Sequence, residues 1–193
     1  SGYQPADSGD ILLNGQRVAY HRPEAAIANG IGMLQQDPLD VPAFTVLENL
    51  VYGQKAGLFL GRRKARAQLG ELCRRFGFAL DGETPIGSLS IGQRQQLEIV
   101  RLLALGIKTL ILDEPTTGIS AEQKTVLFDA LRRMARDDGM SILLVSHKLE
   151  DVIALCDEVV VLRGGRLVGD AQMAVTQGEL VRILAALPRV SLE

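Results

Sequence analysis

The sequence predicts an α/β fold in which a parallel sheet is flanked by helices, with an inserted helical lobe and a small antiparallel hairpin. Three observations carry this. From about residue 108 onward, apolar strands alternate with helical stretches: KTLIL (108–112), a helix from Ser120, SILLV (141–145), a helix from about Lys148. Strands this continuously apolar are buried on both faces, which is the habit of parallel sheets covered by helices. The stretch from about 45 to 90 breaks that rhythm with helical periodicity alone, and Asn14-Gly15 between two short apolar runs is the strongest short-range hairpin signal.

The elements follow in order. The runs around Asn14-Gly15 form the hairpin (9–20), and a short helix spans about 23–29, with Pro23 at a first helical position and Gly30 where the helix ends. IGMLQQ is a brief buried strand leading into the Pro-punctuated loop DPLDVPAF. Thr45 and Glu48 have the spacing of a capping box, in which hydroxyl and carboxylate each satisfy an orphan backbone amide, so a helix starts there. A second helix covers 61–80, with Leu69, Leu72, Cys73 and Phe76 at three- and four-residue steps. Its opening run Arg62-Arg63-Lys64 reads as a solvated face. SIGQ (90–93) is another box and opens a helix to about Leu105; Ser120 and Gln123 form a third for a helix to about Asp138. The helix from Lys148 ends near Cys156, two strands flank Gly164-Gly165, and a last helix opens at Thr176 with Glu179 in box position.

Composition bounds the function. A chain of 193 residues suffices for one domain burying roughly 70% of its unfolded surface. With 21 basic against 23 acidic residues there is no basic excess, which argues against a nucleic-acid partner. Cys73 and Cys156 have neither metal-site nor disulfide spacing and read as reduced core thiols. No apolar run reaches the ~18 residues of a membrane span, and SGYQPADSGD lacks the features of a signal peptide.

Chemistry gathers at strand ends. In a helix-covered parallel sheet, ligands sit outside the carboxyl ends of the strands. KTLIL ends there in Asp113 and Glu114. One carboxylate at such a place can hold Mg²⁺ and a second can orient and deprotonate a water, although acids after a strand are also ordinary loop starters. His147 follows SILLV as Asp113 follows KTLIL, and Gln36 follows IGML with a neutral amide oxygen suited to a metal-bound or attacking water. Ser90 and Gly92 lie at a helix start, where free amides and the positive dipole end attract anions. Strand-end geometry thus places Gln36, Asp113, Glu114 and His147 along one crevice.

Together these residues resemble the nucleotide-binding domain of ATP-binding cassette (ABC) transporters, a P-loop NTPase-like fold. Leu89-Ser90-Ile91-Gly92-Gln93 resembles the signature LSGGQ, TLILDEP the Walker B strand, Gln36 the Q-loop glutamine, His147 the switch histidine, and Thr117 to Ser120 the D-loop. The resemblance implies Glu114 as general base, with Gln36 and His147 also in the catalytic set and His147 on the γ-phosphate. It implies Asp113 and Gln36 toward Mg²⁺, and Ser90, Ile91, Gly92 and Gln93 binding ATP in the opposite subunit's site of a head-to-tail dimer. A membrane-embedded permease would meet DPLDVPAF and the helical lobe, placing the chain in the cytoplasm, peripheral on the inner face of the cell membrane. The implied organisation is 1–44 as partial N-terminal ATPase core, 45–90 as helical signature subdomain and 91–193 as C-terminal ATPase core. Detail in EPTTGIS and SHKLEDVIALCDEVVVLRGG is most similar to bacterial sugar or nucleoside importers.

Three departures stand out. Ile91 replaces the first glycine of the signature, and Ser120 stands where the D-loop often ends in Asp. The sequence also contains no GxxxxGK[ST]; Gly82 to Gly87 has the spacing but is followed by Ser88 and Leu89. Because SGYQPADSG resembles the end of the phosphate-loop helix, the fold is expected to be N-terminally truncated. Three functions remain open: an importer ATPase inactive as this chain alone, a pseudo-ATPase serving regulation or dimerisation, and a relative in chromosome maintenance or translation. The third fits least, since only 53 residues separate Gln36 from Ser90, leaving no room for a long coiled coil. An uncovered apolar face and self-association are also expected.

Overall fold

The computed structural model describes residues 7–18, 22–35, 40–52 and 61–172. They divide into two compact units at the Val145/Ser146 boundary.

In the first unit, β1 (Ile11–Leu13) and β2 (Gln16–Val18) pair antiparallel, Leu13 opposite Gln16. Asn14 and Gly15 both have positive φ (51° and 76°), as a two-residue hairpin turn matching the strand twist requires. Helix α1 (Pro23–Ala28) and strand β3 (Ile31–Leu34) follow. β3, β4 (Thr109–Asp113) and β5 (Ser141–Val145) form a parallel sheet with β4 in the centre. The register sets Leu34 beside Leu112 and Asp113 beside Val145. Helix α4 (Ile91–Ala104) lies close on β3 because Gly32 has no side chain: a Cβ there meets Leu102 Cδ2 at 2.9 Å.

The helical segment contains α2 (Val46–Tyr52), α3 (Arg62–Phe76) and a 3₁₀ turn, Ile86–Ser88. Thr45 caps α2 as expected: Glu48 N–H donates to Thr45 Oγ1 (3.3 Å) and Thr45 N–H to Glu48 Oε2 (2.8 Å). Buried Asn49 ties the preceding loop to this helix, accepting from Val41 N–H (2.8 Å) and donating to the Val41 and Thr45 carbonyls (3.1 Å each). Val46, Leu47, Leu50, Ile86 and Leu97 form the core here. Arg62 and Arg66 pair with Glu83, so part of the basic run has a structural partner. The predicted helix 61–80 ends earlier, at Phe76. Gly77 turns left-handed (φ 76°) and Phe78 N–H donates back to the Cys73 carbonyl (2.9 Å), which reverses the chain.

Helix α5 (Ala121–Arg136) packs on β5 and α4. Coverage of the sheet is less complete than its apolar strands imply. Gly32, Leu34, Leu110 and Leu112 are buried, whereas Leu143 and Val145 on β5 remain 55% and 52% exposed among the described residues.

The second unit contains α6 (Leu149–Leu155) and an antiparallel hairpin of β6 (Glu158–Arg163) and β7 (Arg166–Gln172), turning at Gly164-Gly165. Cys73 is buried and Cys156 half-buried; both thiols are free, and burial pushes both up from their ordinary titration range. The helix expected at Thr176 lies outside the described residues. Among the described residues, no helix is long and apolar enough to cross a membrane.

Candidate active site

β4 runs through Leu110, Ile111 and Leu112 and delivers Asp113, half-buried, at the carboxyl end of the central strand. The chain then bends at once. Glu114 has φ 47°, a left-handed conformation uncommon for a residue with a side chain. Its N–H still donates to the Val145 carbonyl (3.0 Å), continuing the sheet by one bond, and its own carbonyl accepts from Thr117 N–H (3.1 Å). These two bonds hold the strained turn, whose cost is about 1–2 kcal/mol. Carboxylate oxygen Oε2 of Glu114 is turned inward and buried.

The turn continues through Pro115, buried Thr116 and Gly118 (φ 77°) to the start of α5. Ser120 caps α5: Gln123 N–H donates to Ser120 Oγ (3.3 Å) and Ser120 N–H to Gln123 Oε1 (3.2 Å). Ser90 caps α4 identically, with Gln93 N–H donating to Ser90 Oγ (3.2 Å) and Ser90 N–H to Gln93 Oε1 (3.0 Å). Both boxes were visible in the sequence.

The two helix starts are also joined. Gln123 Nε2 donates to Ser90 Oγ at 2.7 Å. The Gln123 amide fills the space over Gly92, where a Cβ meets its Cδ and Oε1 at 2.7 Å each. Ile91 spans the same junction: a Cβ on Gly118 meets its Cδ1 at 3.2 Å, while Ile91 itself is 51% exposed. Gln123 therefore joins this junction without having been singled out by its spacing, and Gly118, read in the sequence only as part of the Thr117 to Ser120 loop, meets Ile91 there; these contacts bridge segments about 30 residues apart. Gln123 announced itself only as a member of a box.

Of the predicted residues, the structure brings together Asp113 and Glu114 at one strand end, and Ser90, Ile91, Gly92 and Gln93 at one helix start. Gln36 lies outside the described residues. His147 belongs to the second unit, two residues past the end of β5; it is exposed, and Lys148 N–H donates to Ser146 Oγ (3.1 Å) across it. Mg²⁺ suits this donor set. It needs only one or two carboxylates, because it keeps several waters and binds substrate phosphates. Asp113 at the strand end supplies one such carboxylate, and among the described residues no group of three or more acids, histidines and cysteines is assembled.

Residues 1–117 match the family model described as ABC transporter. The chain belongs to the ABC transporter family. Its fold agrees with solved ABC structures. A nucleotide-free ATP-binding cassette from an ABC transporter superposes with a TM-score of 0.74 at 21% identity, covering 96% of this chain and 77% of that one. CbiO1 from Clostridium perfringens, part of the cbiONQ transporter complex, gives 0.77 at 24% identity over 97% and 76%. Among curated relatives, the ribose import ATP-binding protein RbsA of Chromobacterium violaceum is 38% identical over 95% of this ABC-family chain. The arabinose import ATP-binding protein AraG of Ralstonia nicotianae is 36% identical over 93%. The chain spans 37% and 35% of the length of those two proteins.

Proposed function

We propose that this chain is the ATP-hydrolysing part of an importer of the sugar or nucleoside class, acting in a head-to-tail dimer of cassettes against a membrane permease at the inner face of the cell membrane. The observation that carries the reading is the set of family motifs in register on a chain whose relatives are named for ribose and arabinose import. In it, Glu114 takes the proton of the attacking water, Asp113 and Gln36 would hold Mg²⁺ and the water beside it, and His147 meets the γ-phosphate. Ser90, Ile91, Gly92 and Gln93 close over the nucleotide of the opposite cassette. When bound, Mg²⁺ neutralises charge on the phosphoryl oxygens. The rigid turn at Glu114 supports its role, because a general base gains from a carboxylate whose backbone is held at a fixed angle.

A second reading is a regulatory or dimerisation module of the same fold, and it differs from the first in whether the intact protein holds a GxxxxGK[ST] loop, which these 193 residues do not contain. That loop's amides and lysine supply much of the electrostatic stabilisation of the transferred phosphoryl group. The 193-residue chain by itself is therefore expected to release no measurable phosphate from ATP. The reading frame upstream of Ser1 separates the two proposals. If it continues through such a loop, the extended form should hydrolyse ATP and E114Q should lower its kcat about 10²–10⁴-fold. A start codon and ribosome site immediately before Ser1 would favour the module. Turnover by the extended form that ignores E114Q removes Glu114 from its role.

A further inference from the structure

Ser90 and Ser120 are the same residue in the same local motif, yet their hydroxyls are committed differently. A serine hydroxyl has two acceptor lone pairs and one proton to donate. Ser120 gives its proton to Glu122 Oε2 (2.7 Å). Ser90 receives two bonds instead, from Gln93 N–H (3.2 Å) and from Gln123 Nε2 (2.7 Å). Both of its lone pairs are used, and the capacity left to it is donation. Ser90 is exposed, so a ligand at the helix start can reach that donor.

Gln123 can act only in this sense. Its Oε1 is held by Ser120 N–H (3.2 Å), which leaves the NH₂ end toward Ser90. Gly92 leaves room for the amide to lie there, since any Cβ collides with it at 2.7 Å. Resting on the reading of Ser90 given above, we propose that Gln123 is a positioning residue: it presets the Ser90 hydroxyl as a donor to the phosphate of the opposite cassette's nucleotide. Ionised phosphate oxygens accept hydrogen bonds, so a hydroxyl whose acceptor positions are already filled forms its bond without rotating away from a competing partner.

The substitution Q123E tests the direction of this bond. It keeps size and the capping bond from Ser120 N–H, and a carboxylate suits both the capping box and the helix dipole. A carboxylate cannot donate, however, so the Ser90 proton should turn inward to it. The probe is inorganic phosphate titrated into the 193-residue chain, followed by the amide resonances of Ile91, Gly92 and Gln93, with the melting temperature measured alongside. Q123E is expected to weaken phosphate binding about fivefold or more without lowering the melting temperature. Q123L, which removes the donor and adds no charge, should weaken it less. In an S90A background, itself weakened, Q123E should cost little further.

Wild-type affinity in Q123E, or an equal loss with and without Ser90, overturns the positioning role; the second outcome means that the new charge acts through space. Either result leaves the reading of Ser90 intact. Wild-type binding by S90A, or no saturable shift in the wild type, instead overturns Ser90 as a phosphate donor, and the role of Gln123 with it.

Discussion

Glu114 carries a functional carboxylate on a backbone that a side chain disfavours, with φ 47°. Stability and chemistry therefore pull against each other at this one residue. Glu114→Gly is expected to raise the free energy of unfolding by about 0.5–1 kcal/mol, the relief of left-handed strain less glycine's extra chain entropy. Urea denaturation checks this; a loss of stability would mean that the buried carboxylate oxygen contributes more than the turn costs. Nothing in TLILDEP announced the turn, because positive φ is a tertiary outcome enforced here by the bond to Val145. The chemical types at residues 113 and 114 were legible, and the angle at which they are presented was not. Gly92 makes the same point, since its small size is demanded by Gln123, a residue 31 positions away (123 minus 92).

Helices are the most legible elements of this chain, because their starts are written in local spacing. Three boxes, at Thr45, Ser90 and Ser120, form as the sequence predicts. Replacing Ser120 by Ala should cost about 1 kcal/mol of stability, measured by thermal or denaturant unfolding. Acid should loosen two of these starts. The Thr45 backbone amide, then its hydroxyl, holds the Glu48 carboxyl below its ordinary range, and the Ser120 hydroxyl does the same for Glu122. The unfolded chain therefore binds these protons more tightly. Their contribution is complete above the ordinary glutamate range and is lost as pH falls through the lower folded values. Protection factors of the first-turn amides of α2 and α5 should drop there, and E48Q should remove the drop in α2. Glu98 on α4 behaves oppositely. Burial pushes its carboxyl up despite the pull of Arg101, so its ionisation disfavours the fold as pH rises past the ordinary range. E98Q is expected to flatten that decline in a stability-versus-pH curve. The end of α3 escaped local reading because Gly77 stops a periodicity that its neighbours would have carried on.

On the scale of the whole molecule, alternation of strands and helices identified the parallel sheet, and β3-β4-β5 bears it out. Periodicity did not report which face stays open, since a strand buried on both sides and one buried on a single side can share the same apolar residues. Among the described residues, Leu143 and Val145 are the exposed apolar side chains of β5. Their joint replacement by threonine, which keeps β-propensity, should reduce concentration-dependent self-association in light scattering while moving stability by no more than about 0.5 kcal/mol. The sheet's register also bears on how the chain is made. Ile31 pairs with Thr109, 78 residues later (109 minus 31), and α2, α3 and α4 lie between them. At a synthesis rate of about 5–20 residues per second, β3 leaves the ribosome roughly 4–16 seconds before its partner exists. During that interval the helical segment can form from local contacts, while the edge of β3 that β4 will occupy waits for its partner. The central strand thus sets a birth order for this fold, and the period in which nascent chains are most open to chaperones or to one another ends only when β4 emerges.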